Sequence, residues 1–135
     1  MIQIKDLDTI VLNGCSAGGL AVFTWAETIS SMIKAINPLT NVIAIPDSGF
    51  FLDYVSLRTS DNNYGLSIKA LVDLVNNGTD LPNSKCLQSN PANPHYCLMA
   101  EHLVDYITVP LFIENSLYDS WQLYNILEIP CFIKP

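Results

Sequence analysis

The chain has 135 residues, half of them hydrophobic and 14% charged, with thirteen acids against six bases and a formal charge of −7. So much apolar content excludes an intrinsically disordered chain, and six scattered Lys and Arg exclude a nucleic-acid binder that tracks phosphates. The length fits one domain, and no uncharged apolar run approaches the roughly 18–20 residues of a membrane span.

The opening Met1-Ile2-Gln3-Ile4-Lys5-Asp6 has neither the basic start nor the apolar run of a signal peptide. Thr9–Asn13 is a short β-branched run ending at a glycine, which predicts a buried strand. From Ala17 to Ile36, apolar Leu20, Phe23, Ala26, Ile29, Ile33 and Ile36 recur at three and four. They predict a long helix, stopped by Asn37-Pro38. Asn41–Ile45 predicts a second strand, ended by Pro46. Residues 47–60 read as a loop, Leu66–Val75 as a second helix with Asn76-Asn77-Gly78 as its exit, and Leu81–Pro94 as a polar loop. Tyr96–Tyr106 predicts a third helix, Val109–Ile113 a third strand and Ser120–Leu127 a short helix. Strands alternating with helices imply an α/β fold with a mostly parallel sheet flanked by helices.

Cysteines stand at positions 15, 86, 97 and 131, with no C-x-x-C pair. That spacing excludes a zinc ribbon or a thioredoxin-type site. Cys86 and Cys97 bracket a loop rich in proline and asparagine, and the sequence leaves both a disulfide and two free thiols open. Asn77-Gly78-Thr79 is an acceptor triplet for N-glycosylation. Together these features lean toward an extracytoplasmic protein.

Gly14-Cys15-Ser16-Ala17-Gly18 is G-x-S-x-G, set between a predicted strand and a predicted helix. In a nucleophile elbow the central serine sits on a sharp strand-to-helix turn, and its hydroxyl projects above the sheet edge. Ser16 is therefore the candidate nucleophile, and the N–H of Ala17 is a candidate oxyanion donor at the positive end of the helix. Cys15 is expected to point into the fold as a small buried hydrophobe.

A serine nucleophile needs a base and an acid, and in this architecture the acid follows a later strand. Asp119 follows the predicted strand Val109–Ile113 and is the candidate acid; it also fits the N-cap of the helix beginning at Ser120. Glu114 reads as a solvated loop charge, and Asp47 suits a structural or pocket-lining role. No histidine follows Asp119. His95 reads as a surface loop residue and His102 as a solvated or helix-pairing one, so neither is chosen as the base.

Leu12-Asn13-Gly14-Cys15-Ser16-Ala17-Gly18-Gly19-Leu20 resembles the elbow of the pectin acetylesterase family, which includes the Notum carboxylesterases. Pro46-Asp47-Ser48-Gly49-Phe50-Phe51-Leu52-Asp53 is similar to a second family segment. Pro110-Leu111-Phe112-Ile113 through Tyr118-Asp119-Ser120-Trp121-Gln122 is similar to the family's strand and acid loop. The resemblance implies a partial α/β-hydrolase fold over residues 1–135, with Ser16 as nucleophile, Asp119 as triad acid and Ala17 in the oxyanion hole. It also implies no metal or cofactor, an acylated polysaccharide or other ester as substrate, and secretion.

The family's glycine-rich oxyanion segment lies upstream of the elbow strand and its histidine downstream of the acid loop. Neither is in this sequence, which resembles the middle of an esterase. The 135 residues alone are therefore expected to hydrolyse esters barely or not at all. Two alternatives stand beside the polysaccharide esterase: a non-catalytic binding remnant, and a Notum-like deacylase of a lipidated protein.

Overall fold

The computed structural model describes residues 3–75 and 81–131. The predicted exit at Asn76-Asn77-Gly78 and the Asn77-Gly78-Thr79 triplet lie outside them. After a single 3-10 turn at Ile4–Asp6, strand β1 runs Thr9–Cys15, helix α1 Ala17–Ile36 and strand β2 Asn41–Asp47. The strands pair in parallel, in register from Thr9 opposite Asn41 to Cys15 opposite Asp47. This is the strand–helix–strand unit that the hydrophobic periods predict, except that β1 runs on to Cys15 and, expected to be buried, is half-buried on one face and exposed on the other.

Helix α1 holds the unit together from one side. Its Val22, Ala26 and Ile33 pack with Val42 and Ala44 of β2 and with Val109, and Ile10 and Leu12 of β1 lean against that cluster. Alternation along β2 follows from this cover: Val42, Ala44 and Pro46 are buried. Ile36, part of the predicted stripe, is instead exposed with the rest of the last helical turn.

Strand β2 does not end before Pro46, as the sequence suggests; it continues to Asp47. In a parallel strand, alternate residues bond to opposite neighbours, so a proline interrupts one side only. On its far side from β1, β2 meets the 110–114 segment through Ala44 N–H to the Pro110 carbonyl (2.9 Å), Phe112 N–H to the Ala44 carbonyl (2.9 Å), Glu114 N–H to the Pro46 carbonyl (3.1 Å) and Ser48 N–H to the Glu114 carbonyl (2.7 Å). The rung that a Pro46 N–H would donate is missing, and Pro110 has no N–H to give either. The predicted third strand Val109–Ile113 is thus present as parallel bridges, Ala44 with Leu111 and Asp47 with Glu114, rather than as an unbroken ladder.

The remaining helices are short. Helix α2 spans Asn63–Leu74 and starts earlier than predicted, because the Asn62 side chain accepts the N–H of Gly65 and caps it. The predicted polar loop 81–94 contains a helix, α3 (Ser84–Ser89), capped by Asn83 through the N–H of Cys86. The predicted helix Tyr96–Tyr106 is split into a 3-10 turn at Pro94–Leu98, helix α4 at Ala100–Leu103 and a second 3-10 turn at Val104–Tyr106. Met99 breaks it with an extended backbone, φ −117° and ψ 120°, while its side chain is fully buried. Helix α5 covers Ser120–Asn125. No helix among the described residues is long and apolar enough to cross a membrane.

Cys86 and Cys97 form a disulfide, with Cα atoms 5.8 Å apart. Both are fully buried, in a second core cluster with Phe23 of α1, Ala100 and Leu103. Phe23 meets Phe50 edge-on at 5.9 Å, which joins this cluster to the segment leaving β2. Two short helices and two 3-10 turns have too little regular structure to fix the 84–106 region alone, so the bond anchors it on α1. Its removal in Cys86→Ser/Cys97→Ser should cost about 2–4 kcal/mol in chemical denaturation of the oxidised protein. A double variant with an unchanged midpoint and slope would show that the packing alone suffices.

Candidate active site

Strand β1 ends at Cys15 and helix α1 begins at Ala17, so Ser16 alone makes the turn. Its backbone sits at φ 58° and ψ −120°, a region that side chains with a Cβ rarely occupy. Such strain costs about 1–3 kcal/mol and persists only where surrounding contacts impose it. Two backbone bonds do so: Ser16 N–H donates to the Asp47 carbonyl at 2.9 Å, and Leu20 N–H donates to the Ser16 carbonyl at 3.0 Å.

Two glycines let the backbones approach closely enough for those bonds. A Cβ on Gly14 would lie 2.5 Å from the Gly18 carbonyl oxygen. A Cβ on Gly19 would lie 2.4 Å from the Asp47 carbonyl oxygen and 2.9 Å from the Gly49 Cα. The first turn of α1 therefore rests directly on the exit of β2. The Ser16 side chain is exposed, does not cap α1 and makes no hydrogen bond to another described residue. The hydroxyl is thus open to solvent.

Asp119 lies where the sequence places it, between the 110–114 segment and α5. Its carboxylate caps α5: Oδ1 accepts the N–H of Trp121 at 2.8 Å and of Gln122 at 3.2 Å. Oδ2 accepts one donor, Gln122 Nε2 at 3.2 Å, and keeps acceptor capacity toward the outside. Ser16 and Asp119 line one groove of about 330 Å³, together with Ser48, Phe51, Tyr118 and Trp121. Phe51 and Trp121 meet edge-on at 5.3 Å, and Tyr64 packs against both. Burial pushes the Tyr64 hydroxyl up to about 12, so it stays neutral behind those two rings.

Asp47 has the structural role expected of it. Its carbonyl holds Ser16, and its Oδ1 accepts the Ser48 hydroxyl at 2.7 Å. Ser48, at φ 51°, is a second strained serine on the groove that the sequence gives no reason to single out. Glu114 is exposed, as expected of a loop charge. Ala17 opens α1, where a first-turn N–H has no partner within the helix.

Cys15 corrects an expectation: it is exposed and free, not buried. Inward and outward positions alternate along β1, and Cys15 shares the outward face with Thr9, Val11 and Asn13. A hydrogen bond to Asp47 and that residue's negative charge push the Cys15 thiol up, which disfavours the thiolate.

The histidines lie away from Asp119's hydrogen bonds. His95 is buried rather than on the surface, with a ring 4.6 Å from that of Tyr96. Burial, aided by the positive charge of Lys69, holds it below the ordinary histidine value. His102 bonds through Nε2 to Asp53 Oδ2 at 2.7 Å and stacks on Tyr96 at 4.1 Å. Asp53 also accepts a bond from Asn62, and its N–H donates to Glu101 Oε2 at 3.2 Å. Burial raises the Asp53 carboxyl, but the bonds from His102 and Asn62 outweigh it and hold the group below its ordinary value. This clasp is invisible in the sequence, because 49 residues separate its partners.

The pectinacetylesterase family description matches residues 2–134, which include the elbow, the β2 exit and the acid loop. The chain belongs to the pectinacetylesterase family. Pectin acetylesterase 7 of Arabidopsis thaliana is 30% identical over 125 residues, covering 92% of this chain and 30% of the relative. Pectin acetylesterase 11 of the same plant is 28% identical over 124 residues, with the same coverages. Among solved structures, the Wnt deacylase Notum from Drosophila superposes with a TM-score of 0.73 at 25% identity, over 85% of this chain and 32% of that one. The fold is thus part of the Notum-like α/β hydrolase fold. The chain spans about a third of the length of these pectinacetylesterase-family relatives.

Two outcomes follow from the geometry. Gly19→Ala should destabilise the protein by about 2–3 kcal/mol, because the facing atoms are backbone and have nowhere to move. A thermal midpoint equal to wild type would contradict that close approach. A carboxyl held below its ordinary value contributes stability that is complete above about pH 4 and fades as pH falls through the lower folded value. Wild type should therefore exceed Asp53→Asn in stability at pH 7, and the two curves should converge in acid. Curves that stay parallel through that range would remove the Asp53 carboxylate as the cause.

Proposed function

We propose that this chain carries the nucleophile and acid of a serine carboxylesterase that removes acetyl groups from polysaccharide esters. The observation that carries the proposal is the shared groove. A strained, unbonded Ser16 and a carboxylate with a free acceptor edge open onto the same cleft, in a family named for ester cleavage.

In this reading Ser16 Oγ attacks the ester carbonyl while a base takes its proton. The tetrahedral oxyanion forms against the Ala17 N–H, and the alcohol leaves with the proton. Water then attacks the acyl-serine by the same route and releases the carboxylic acid. Asp119 orients the base and stabilises its charged form. His102 is committed to Asp53 and His95 is buried against Tyr96, so in this reading neither of the sequence's two histidines is the base. By themselves the 135 residues turn over little or nothing. An extracellular site of action fits the buried Cys86–Cys97 disulfide, which persists in oxidising compartments.

A second reading has its own observation. A mostly apolar pocket of about 250 Å³, with Phe50, Leu52, Ile113 and Leu117 in its walls, adjoins the groove at Ser116 and Asp119. Such a pocket favours a longer acyl chain, as a deacylase of a lipidated protein needs.

An organophosphonate probe should label the full-length enzyme at Ser16, and Ser16→Ala should abolish labelling. Asp119→Asn should lower kcat by about three to four powers of ten. The 135 residues alone should stay essentially unlabelled. Acetate against octanoate esters separates the two acyl groups. Labelling that survives Ser16→Ala would overturn the nucleophile, and absence of labelling in the full-length protein would leave the non-catalytic remnant.

A further inference from the structure

Gln122 is a polar side chain with only 4% of its surface exposed, and every bond it makes runs to the acid or to the β2 exit. Its Oε1 accepts the Leu52 N–H at 3.0 Å. Its Nε2 donates to the Phe50 carbonyl at 3.1 Å and to Asp119 Oδ2 at 3.2 Å. Its own N–H donates to Asp119 Oδ1 at 3.2 Å. Both carboxylate oxygens of Asp119 thus bond to this one residue.

Capping alone does not need that arrangement. An N-cap requires one side-chain oxygen on the first free N–H groups, and Asp119 Oδ1 already meets Trp121 and Gln122 there. The bond to Oδ2 does something else. The terminal torsion of an aspartate is broad, and a carboxylate held by one oxygen can swing. Gln122 fixes the second oxygen and leaves one acceptor edge facing outward. The same Nε2 also holds the Phe50 carbonyl and Oε1 holds the Leu52 N–H, in the segment that brings Phe51 to the groove beside Ser16. One side chain therefore ties the acid to the groove wall.

We infer that Gln122 is a positioning residue, which holds the Asp119 carboxylate in the orientation that the catalytic base meets. This rests on the serine-esterase reading above. It extends that reading by assigning the geometry of the acid to a neighbour three residues along the chain. Carboxylate and imidazolium stabilise each other only when aligned, so a swung carboxylate leaves the base less basic.

The test uses the full-length enzyme and Gln122→Met, which keeps the side-chain length and removes all its hydrogen bonds. The expected result is kcat lower by about 10- to 100-fold with KM unchanged, since positioning errors act on the transition state. The acidic limb of the pH profile of kcat/KM should move to lower pH, because the base loses its aligned counter-charge. Asn62→Ala, which removes the cap of α2 instead, serves as the destabilised control and should leave that limb in place. Should Gln122→Met fail to fold, Gln122→Glu keeps the shape and the acceptor for Leu52 while losing the donors to Phe50 and Asp119 and setting a second carboxylate against Asp119. It should lower kcat in the same way at unchanged KM. Folded variants with kcat near wild type and an unmoved acidic limb would overturn the positioning role. Full activity in Ser16→Ala or Asp119→Asn would overturn the esterase reading instead, so the two failures are separable.

Discussion

The contact between the first turn of α1 and the exit of β2 governs the rest of the structure. Backbone meets backbone there, with no room for a Cβ on Gly19 or Gly49. Helices packed through side chains stand well apart from a sheet, but this one touches. The touch lets the Asp47 carbonyl take the Ser16 N–H, and that bond holds Ser16 at a positive φ. The same approach aims the residues after Asp47 into the groove. Position and strain at Ser16 follow from side chains that are missing at Gly14, Gly19 and Gly49.

What the sequence reveals follows the physics of local pattern. Helix α1 matches its predicted bounds because twenty residues of period three and four outweigh chance. Strand β1 and the Asp119 cap are legible for similar reasons, since each depends on neighbours in the chain. The failures have a different origin. Pro46 reads as a stop, yet it forfeits one rung on one side only, which requires knowing the partner strand. Tyr96–Tyr106 reads as one helix, yet the fully buried Met99 splits it. Cys15 reads as buried, yet its face of β1 is open. Each error turns on a tertiary contact, as do the residues that pattern did not flag: Ser48, Gln122 and the Asp53–His102 clasp.

The clasp also bears on which histidine a reader would choose. An aspartate–histidine pair at 2.7 Å has the look of catalytic machinery, and it lies on the segment that continues from the groove wall. Its connections argue otherwise. Asp53 also engages Asn62 and Glu101, and His102 stacks on Tyr96. These contacts tie the β2 exit to α4 and the cap of α2. Gln122 holds the same exit from the side of α5. The segment after β2, which has no regular secondary structure, is thus held at residues 50, 52 and 53 by polar side chains. A loop secured this way presents Ser48 and Phe51 as firmly as a strand would.

Asp47 sharpens the distinction between the two adjacent reactive side chains. A thiol is intrinsically the better nucleophile, and Cys15 is exposed one residue from Ser16. Its reactive form is the thiolate, and the carboxylate beside it opposes that charge. The Asp47 backbone carbonyl meanwhile fixes the turn that lifts the Ser16 hydroxyl into the groove. One aspartate therefore disfavours the Cys15 thiolate through its side chain and holds the Ser16 turn through its main chain. Cys15→Ser would remove the thiol but leave the elbow's backbone untouched, because every bond that shapes the turn is made by main-chain atoms. The path of the backbone sets Ser16 at the apex of the turn, on the groove that Asp119 also lines.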